Sequence, residues 1–161
     1  MDKQPVFDHE KLDVYRLSIE FQAWVGELLD EGFGKRAKPN AAKHLDEAST
    51  SISNNIAEGN GKRSYTDRAR FVDIACGSGL ECAACIDALV ARKLLEPKRA
   101  NTGKVLLYRI VSMLHKLRSR LTSQDPSAKP RQSRSSTSTS TSRAPRAALS
   151  TSTMGSLQTV P

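Results

Sequence analysis

Several groups of residues in this chain have types and spacings from which chemistry is built. The densest is SNNIAEGNGKRS, residues 53–64, where two glycines, Glu58, Lys62 and Arg63 sit between apolar segments. A phosphate-cradling loop needs four residues between its glycines, then Lys followed directly by Ser or Thr. Here one residue separates Gly59 from Gly61, and Arg63 stands between Lys62 and Ser64. No strand precedes the stretch, so the nucleotide-loop reading fails. Two readings remain. A helix starting at Ser64 would offer free backbone N–H groups beside Lys62 and Arg63, which together make an anion site. The other is an ordinary connection between helices with solvated charges.

Cys82 and Cys85 have the C-x-x-C spacing of redox and zinc motifs. A redox pair of the thioredoxin type opens a helix after a strand, whereas these lie mid-helix on an apolar stripe. Structural zinc needs four convergent ligands. By helical angle Cys76 points roughly 120° or more away from the other two, and His115 falls opposite the apolar stripe of its own helix. The cysteines therefore read as small core residues. His9, His44 and His115 lie in three different segments and offer no nucleophile–base pair. Glu58 and Glu81 are candidates for acid–base work or for ion pairs that fix helix packing. The expectation is a protein with no enzymatic activity, no metal and no cofactor.

The remaining group is basic. Arg109, Lys116 and Arg120 are spaced i, i+7 and i+11 and cluster on one edge of a helix. Lys35, Arg36 and Lys38 crowd a loop, and Arg68 and Arg70 follow the Lys62–Arg63 turn. These cations either form a phosphate-contacting surface or a mixed solvated face, since Asp30, Glu31, Asp46 and Glu47 are interspersed. Aromatic interleaving is sparse, which argues against a base-stacking single-strand reader.

The elements that must hold these groups are helical. In the first apolar segment, Val14, Leu17, Phe21, Trp24 and Leu28 alternate three and four apart. EGFGKRAKPN then breaks the pattern with Gly32, Gly34 and Pro39. Ala41, Leu45, Ala48, Ile52 and Ile56 form a second stripe of mostly small residues, with Gly59 placed to end that helix as a C-cap glycine. Ser64 and Asp67 have capping-box spacing at the start of a third helix. That helix is apolar on two sides. Phe71, Ile74, Ala75, Ser78, Cys82, Cys85, Ile86 and Leu89 share one face, and Val72, Cys76, Leu80, Ala83 and Val90 the other. One face serves the monomer core, and the other calls for a second subunit. EPKRANTG reads as a turn before a fourth helix striped by Leu106, Ile110, Met113, Leu117 and Leu121.

No segment alternates as a strand does. Four helices of roughly 18 to 28 residues with short connections predict an all-α, antiparallel up-down-up-down four-helix bundle. The bundle is expected over residues 1–122 and a disordered Ser/Thr/Arg-rich tail over 123–161. The tail lacks Phe, Tyr, Trp and Ile, so it cannot bury enough apolar area to offset its ordering entropy. Of the formal net charge of +8, half falls on the tail, which favours polyanionic partners. The N-terminus has no apolar core of signal-peptide type, and no run approaches the roughly 18 apolar residues of a membrane span. Reduced thiols and a cytoplasmic location, with no membrane partner, are the expectation.

LDVYRL and then SISNNIAEGNGKRSYTDRARFVDIACGSGLE carry a further signal. Together they resemble the four-helix-bundle family of the 23S rRNA intervening-sequence proteins, over roughly three quarters of the chain. The matching positions are Asn55, Ile56, Ala57, Glu58, Gly59, Gly61, Ser64, Arg70, Phe71, Ile74, Ala75, Gly77, Ser78 and Glu81. Ser53 stands where the family usually has Pro, Lys62 replaces Arg and Asp67 replaces Glu. Such proteins are similar to the accessory subunit of diversity-generating retroelements, a pentameric bundle whose positive surface binds nucleic acid and a reverse transcriptase. The resemblance thus implies a bacterial homo-oligomer, a pentamer, that binds structured RNA or DNA. Phosphate contacts are expected from Lys62, Arg63, Arg70, Arg109, Lys116 and Arg120. The alternative is a scaffold that docks an acidic partner protein, such as a reverse transcriptase, without touching nucleic acid.

Overall fold

The computed structural model describes residues 6–33 and 39–126. The readings for Lys35, Arg36, Lys38 and the tail from residue 127 lie outside that range. A short 3-10 helix, Asp8–Lys11, leads into α1 (Asp13–Asp30), α2 (Asn40–Gly61), α3 (Tyr65–Ala91) and α4 (Pro97–Gln124). There is no strand among the described residues. Sequence neighbours pack against each other and α4 closes back on α1, which is the up-down-up-down bundle the periodicity predicts. α3 packs most extensively, against α2 and α4. By length and composition α3 is also apolar enough to cross a membrane, contrary to the sequence expectation. In this fold it is the helix packed between two others.

The core takes most of the predicted stripes, with Phe21, Leu45, Ile52, Cys82, Ile86, Leu89 and Ile110 almost wholly enclosed, but Val25 and Leu114 join them from outside the stripes, while Met113 and Leu117 of the expected α4 stripe are only partly buried. In α2 the buried set is Ala42 rather than Ala41, with Ser49, Ser53 and Gly59 added. Each buried serine returns its hydroxyl to its own helix. Ser18 donates to the Tyr15 carbonyl at 2.6 Å, and Ser49 to that of Asp46 at 2.8 Å. That satisfies the polar group without a partner helix. α3 departs from its expected faces. Ile74 is exposed, whereas Val72 and Cys76, placed on the second face, are buried. The bundle centre takes residues from both predicted stripes because α2 and α4 approach α3 from different sides.

The ends of the helices follow local chemistry. Gly32, with φ of 72°, receives the chain after α1 in the left-handed region that glycine occupies without strain. Ser64 caps α3 by accepting a hydrogen bond from the Asp67 backbone N–H at 3.3 Å, which is the Ser64 half of the predicted capping box. The stretch EPKRANTG is not a turn. It is the first two turns of α4, with Pro97 in the first turn, where the absent N–H costs nothing. The true connection is shorter. The Leu94 N–H bonds to the Leu89 carbonyl and the Lys93 N–H to that of Val90, both at 2.9 Å. This is a Schellman closure with Lys93, at φ of 56°, in the place glycine usually holds.

Candidate nucleic-acid interface

The α2–α3 corner comes first, since the densest stretch of candidate chemistry lies there. Gly59 does not cap α2, because the helix runs on to Gly61 and Lys62 follows it in extended backbone. Nor does either glycine adopt positive φ. Gly59 is there for space. A Cβ on it would lie 2.8 Å from the Cβ of Phe71, so only glycine lets α3 come this close. A Cβ on Gly61 would meet nothing within 4 Å. One hydrogen-bonded chain joins the same two helices. Asn55 Nδ2 donates to the Ser51 carbonyl at 2.8 Å and to Ser51 Oγ at 3.1 Å, and Ser51 and Ser78 share a hydroxyl–hydroxyl bond of 2.8 Å.

The six predicted phosphate contacts separate into two kinds. Lys62 is occupied. Its Nζ pairs with Glu58 Oε1 at 3.0 Å and sits 4.8 Å from the centre of the Phe71 ring. That contact fastens the corner and also accounts for Glu58. Arg63, Arg70, Arg109, Lys116 and Arg120 are exposed and make no ion pair with any described residue. Other cations are committed to helix–helix bridges: Arg99 to Glu31, Lys104 to Asp87 and Arg118 to Asp73. Arg68 reaches Asn60 Oδ1 at 3.3 Å.

Four of these five exposed cations lie on two flanks of α4, and Arg63 stays at the α2–α3 corner. Arg70 shares a groove between α3 and α4 with Tyr65, Thr66, Asp73, Arg118 and Asp125. Lys116 and Arg120 line a groove against Leu12, Asp13 and Val14 at the start of α1. Arg109 lies further along that flank, roughly 16 Å up the helix axis from Arg120, facing Asp13, Arg16 and Glu20. Charge is segregated by helix. α4 carries Lys98, Arg99, Lys104, Arg109, Lys116, Arg118 and Arg120 and no acid, whereas α1 carries Asp13, Glu20, Glu27 and Asp30 against one cation, Arg16. Sequence inspection found one edge of α4 but missed that the whole helix is free of acids, although that is visible in the letters.

No catalytic arrangement forms among the described residues. Glu81 is exposed about four turns down α3 from the Glu58 corner. His9 packs between Phe7 and Tyr15, and His44 lies 3.9 Å from Glu47. No group of His, Cys, Asp or Glu among the described residues is placed to hold a metal. Burial pushes the Cys82 thiol up to about 12 and also raises Cys76 and Cys85, which keeps all three protonated and unreactive near neutral pH. The core reading of the C-x-x-C pair stands, with Cys85 only partly buried.

A family model described as 23S rRNA-intervening sequence protein matches residues 10–116. The chain belongs to this family. Among solved structures, a protein of unknown function from the S23 ribosomal protein family of Bacteroides thetaiotaomicron has the same fold. The TM-score is 0.61 at 19% identity, over 65% of this chain and 96% of that one. Comparison with curated proteins gives no match. Within this family member, the hallmark positions now have places. Asn55, Glu58, Gly59, Ser64, Phe71 and Ser78 bind α2 to α3 or cap the corner. Gly77 and Glu81 instead face outward, and a Cβ on Gly77 would meet nothing within 4 Å.

Proposed function

We propose that this bundle is a non-enzymatic, cytoplasmic homo-oligomer that binds structured RNA or another nucleic acid through phosphate contacts. The observation that supports the reading is the set of five exposed cations, Arg63, Arg70, Arg109, Lys116 and Arg120, without acidic partners among the described residues. An unpaired cation gives up no salt bridge when it meets a phosphate, and each contact releases condensed counterions. Lys62 drops to a supporting place, since binding through it would first break the Glu58 pair. The oligomeric part rests on the apolar residues that α3 and α4 leave exposed. A pentamer is the arrangement that the family resemblance implies.

Filter binding of the full chain to a structured RNA, over a salt series, tests the nucleic-acid reading. Replacing Arg70, Lys116 and Arg120 by Ala should weaken binding and lower the salt slope by about one for each phosphate no longer neutralised. Lys62→Ala should change the slope little. No affinity at low salt, or an unchanged slope in the triple variant, overturns the reading. A second reading, docking of an acidic partner protein, is favoured by the apolar groove between α3 and α4, which Lys104 and Arg109 border. Capture of a partner that survives nuclease treatment and is abolished by Arg109→Ala supports that reading over the first.

A further inference from the structure

One exposed aromatic ring in this chain is held rather than loose. Phe7, just ahead of the 3-10 helix, is 71% exposed. Its ring lies nearly parallel to that of His9, with centroids 5.8 Å apart and 13° between the planes. His9 in turn meets the partly buried Tyr15 edge-on at 4.7 Å. The backbone beneath the ring is tied as well. The Phe7 N–H donates to Glu10 Oε2 at 2.7 Å, and the Phe7 carbonyl accepts from the Glu10 N–H at 3.1 Å. Arg16 Nε donates to the Glu10 carbonyl at 2.8 Å, which fastens the short helix to α1. A lone apolar side chain at a surface needs no explanation. A ring backed by two others and still open to solvent is a preformed platform for a further flat group.

The platform sits where cations without ion pairs among the described residues collect. In the up-down-up-down bundle the start of α1, the end of α2, the start of α3 and the end of α4 share one end. Arg63 is at that end, in the α2–α3 corner. Arg70, Lys116 and Arg120 lie within roughly 12 Å of it along their helix axes. The His9 carbonyl accepts from the Leu12 N–H at 3.0 Å, and Leu12 lines the groove that holds Lys116 and Arg120. The stack therefore adjoins that groove. Most acids of this end are engaged. Glu10 holds the Phe7 N–H, Asp13 lies 3.7 Å from Arg16, Glu58 pairs with Lys62, Asp73 with Arg118, and Asp125 accepts from Thr66. An exposed ring beside such cations matches a nucleotide, whose base is flat and whose phosphate is anionic.

We infer that Phe7, backed by His9 and Tyr15, stacks one unpaired base of the bound nucleic acid, while Lys116 and Arg120 hold the neighbouring phosphates. This deepens the proposed function and rests on it. It names the ligand as a structured RNA with an unpaired nucleotide, at a bulge, loop or end, rather than an unbroken duplex. Bases within a duplex have their faces covered by their neighbours, so only an unpaired base offers a face to Phe7. One platform serves one base, in keeping with the sparse aromatics of the chain. A reader of long single strands stacks successive bases on several rings.

Anisotropy measurements of the full chain with two labelled RNA probes, each over a salt series, test the inference. One probe is a continuous duplex, and the other is the same duplex with a bulge of unpaired adenosines. The unaltered chain should bind the bulged probe about tenfold more tightly, the size of one base–aromatic stack. Phe7→Ala and Phe7→Leu should each remove that advantage and leave binding to the continuous duplex as it was. The salt slope should not change in either variant, because stacking releases no counterion. Phe7→Tyr keeps a ring and should keep the advantage. The Phe7 ring is exposed, so an unchanged urea midpoint shows that each variant folds. An advantage that survives Phe7→Ala comes from the shape of the bulge and overturns the stack. One that survives in Phe7→Leu but not in Phe7→Ala is plain apolar contact and overturns it too. If both probes bind the unaltered chain alike, the stack falls and the phosphate reading stands. If neither binds at low salt, the nucleic-acid reading falls and this inference falls with it.

Discussion

The inner and outer faces of α3 carry the same kind of residue for different reasons. At the inner crossing, Gly59 of α2 lies against Phe71, and Gly79 of α3 leaves room for Val111, whose Cγ2 would be 2.9 Å from an added Cβ. On the outer face Gly77 sits between exposed Ile74 and Leu80 with nothing near it. The family hallmark spans both, since Gly59 and Gly77 are each part of it. The difference teaches that the hallmark has two components. One builds the bundle and is explained inside a single chain. The other finds no explanation there: Gly77 lies beside exposed Ile74 and Leu80 and outside the lining of the α3–α4 groove.

The inner component should break first and hardest. The atom opposing Gly59 is a Cβ, fixed to the α3 backbone, so no side-chain rotation relieves the clash and the helices must separate. Gly59→Ala should cost about 3 kcal/mol, at the upper end of overpacking penalties, measured by urea unfolding. Gly103 offers a second inward case on the α1–α4 seam. An added Cβ there would lie 2.5 Å from two atoms of the Trp24 ring. That ring is an end group, but it is buried and stacked on Phe21 with centroids 5.7 Å apart. It can yield somewhat, so Gly103→Ala should cost less, about 2 kcal/mol. If either substitution proves neutral, the helices are less closely packed than described and the inward explanation fails at that site.

Much of the fold was legible in the letters because helical stripes are local and periodic. Val14, Leu17, Phe21, Trp24 and Leu28 are all buried as their spacing demands. The Ser64 cap was equally local. What failed needed the third dimension. Gly59 reads as a helix terminator because glycine often is one, and only the approach of Phe71 shows that it serves packing. EPKRANTG reads as a turn because it has Pro near its start and ends in Gly, yet Pro97 suits a first turn and Gly103 receives the Trp24 ring. The candidate site was half legible. Spacing put Arg109, Lys116 and Arg120 on one edge, as found. It could not show that Lys62 is paired with Glu58, or that Val105 and Tyr108 open a groove beside Leu80. Those facts depend on which neighbours arrive.

The outer component gives the smallest effect and the one of opposite sign. Gly77 is in the middle of α3, where alanine is favoured over glycine by about 1 kcal/mol through helix propensity. Since nothing outside the local helix backbone lies within 4 Å of an added Cβ, no packing clash offsets that gain. Gly77→Ala should therefore raise the unfolding free energy of the isolated subunit by about 1 kcal/mol. Urea unfolding of the full chain measures it. A gain here beside a loss in Gly59→Ala separates the two components of the hallmark. A loss would mean that Gly77 answers to a constraint within the chain, and the distinction between the faces of α3 would not hold.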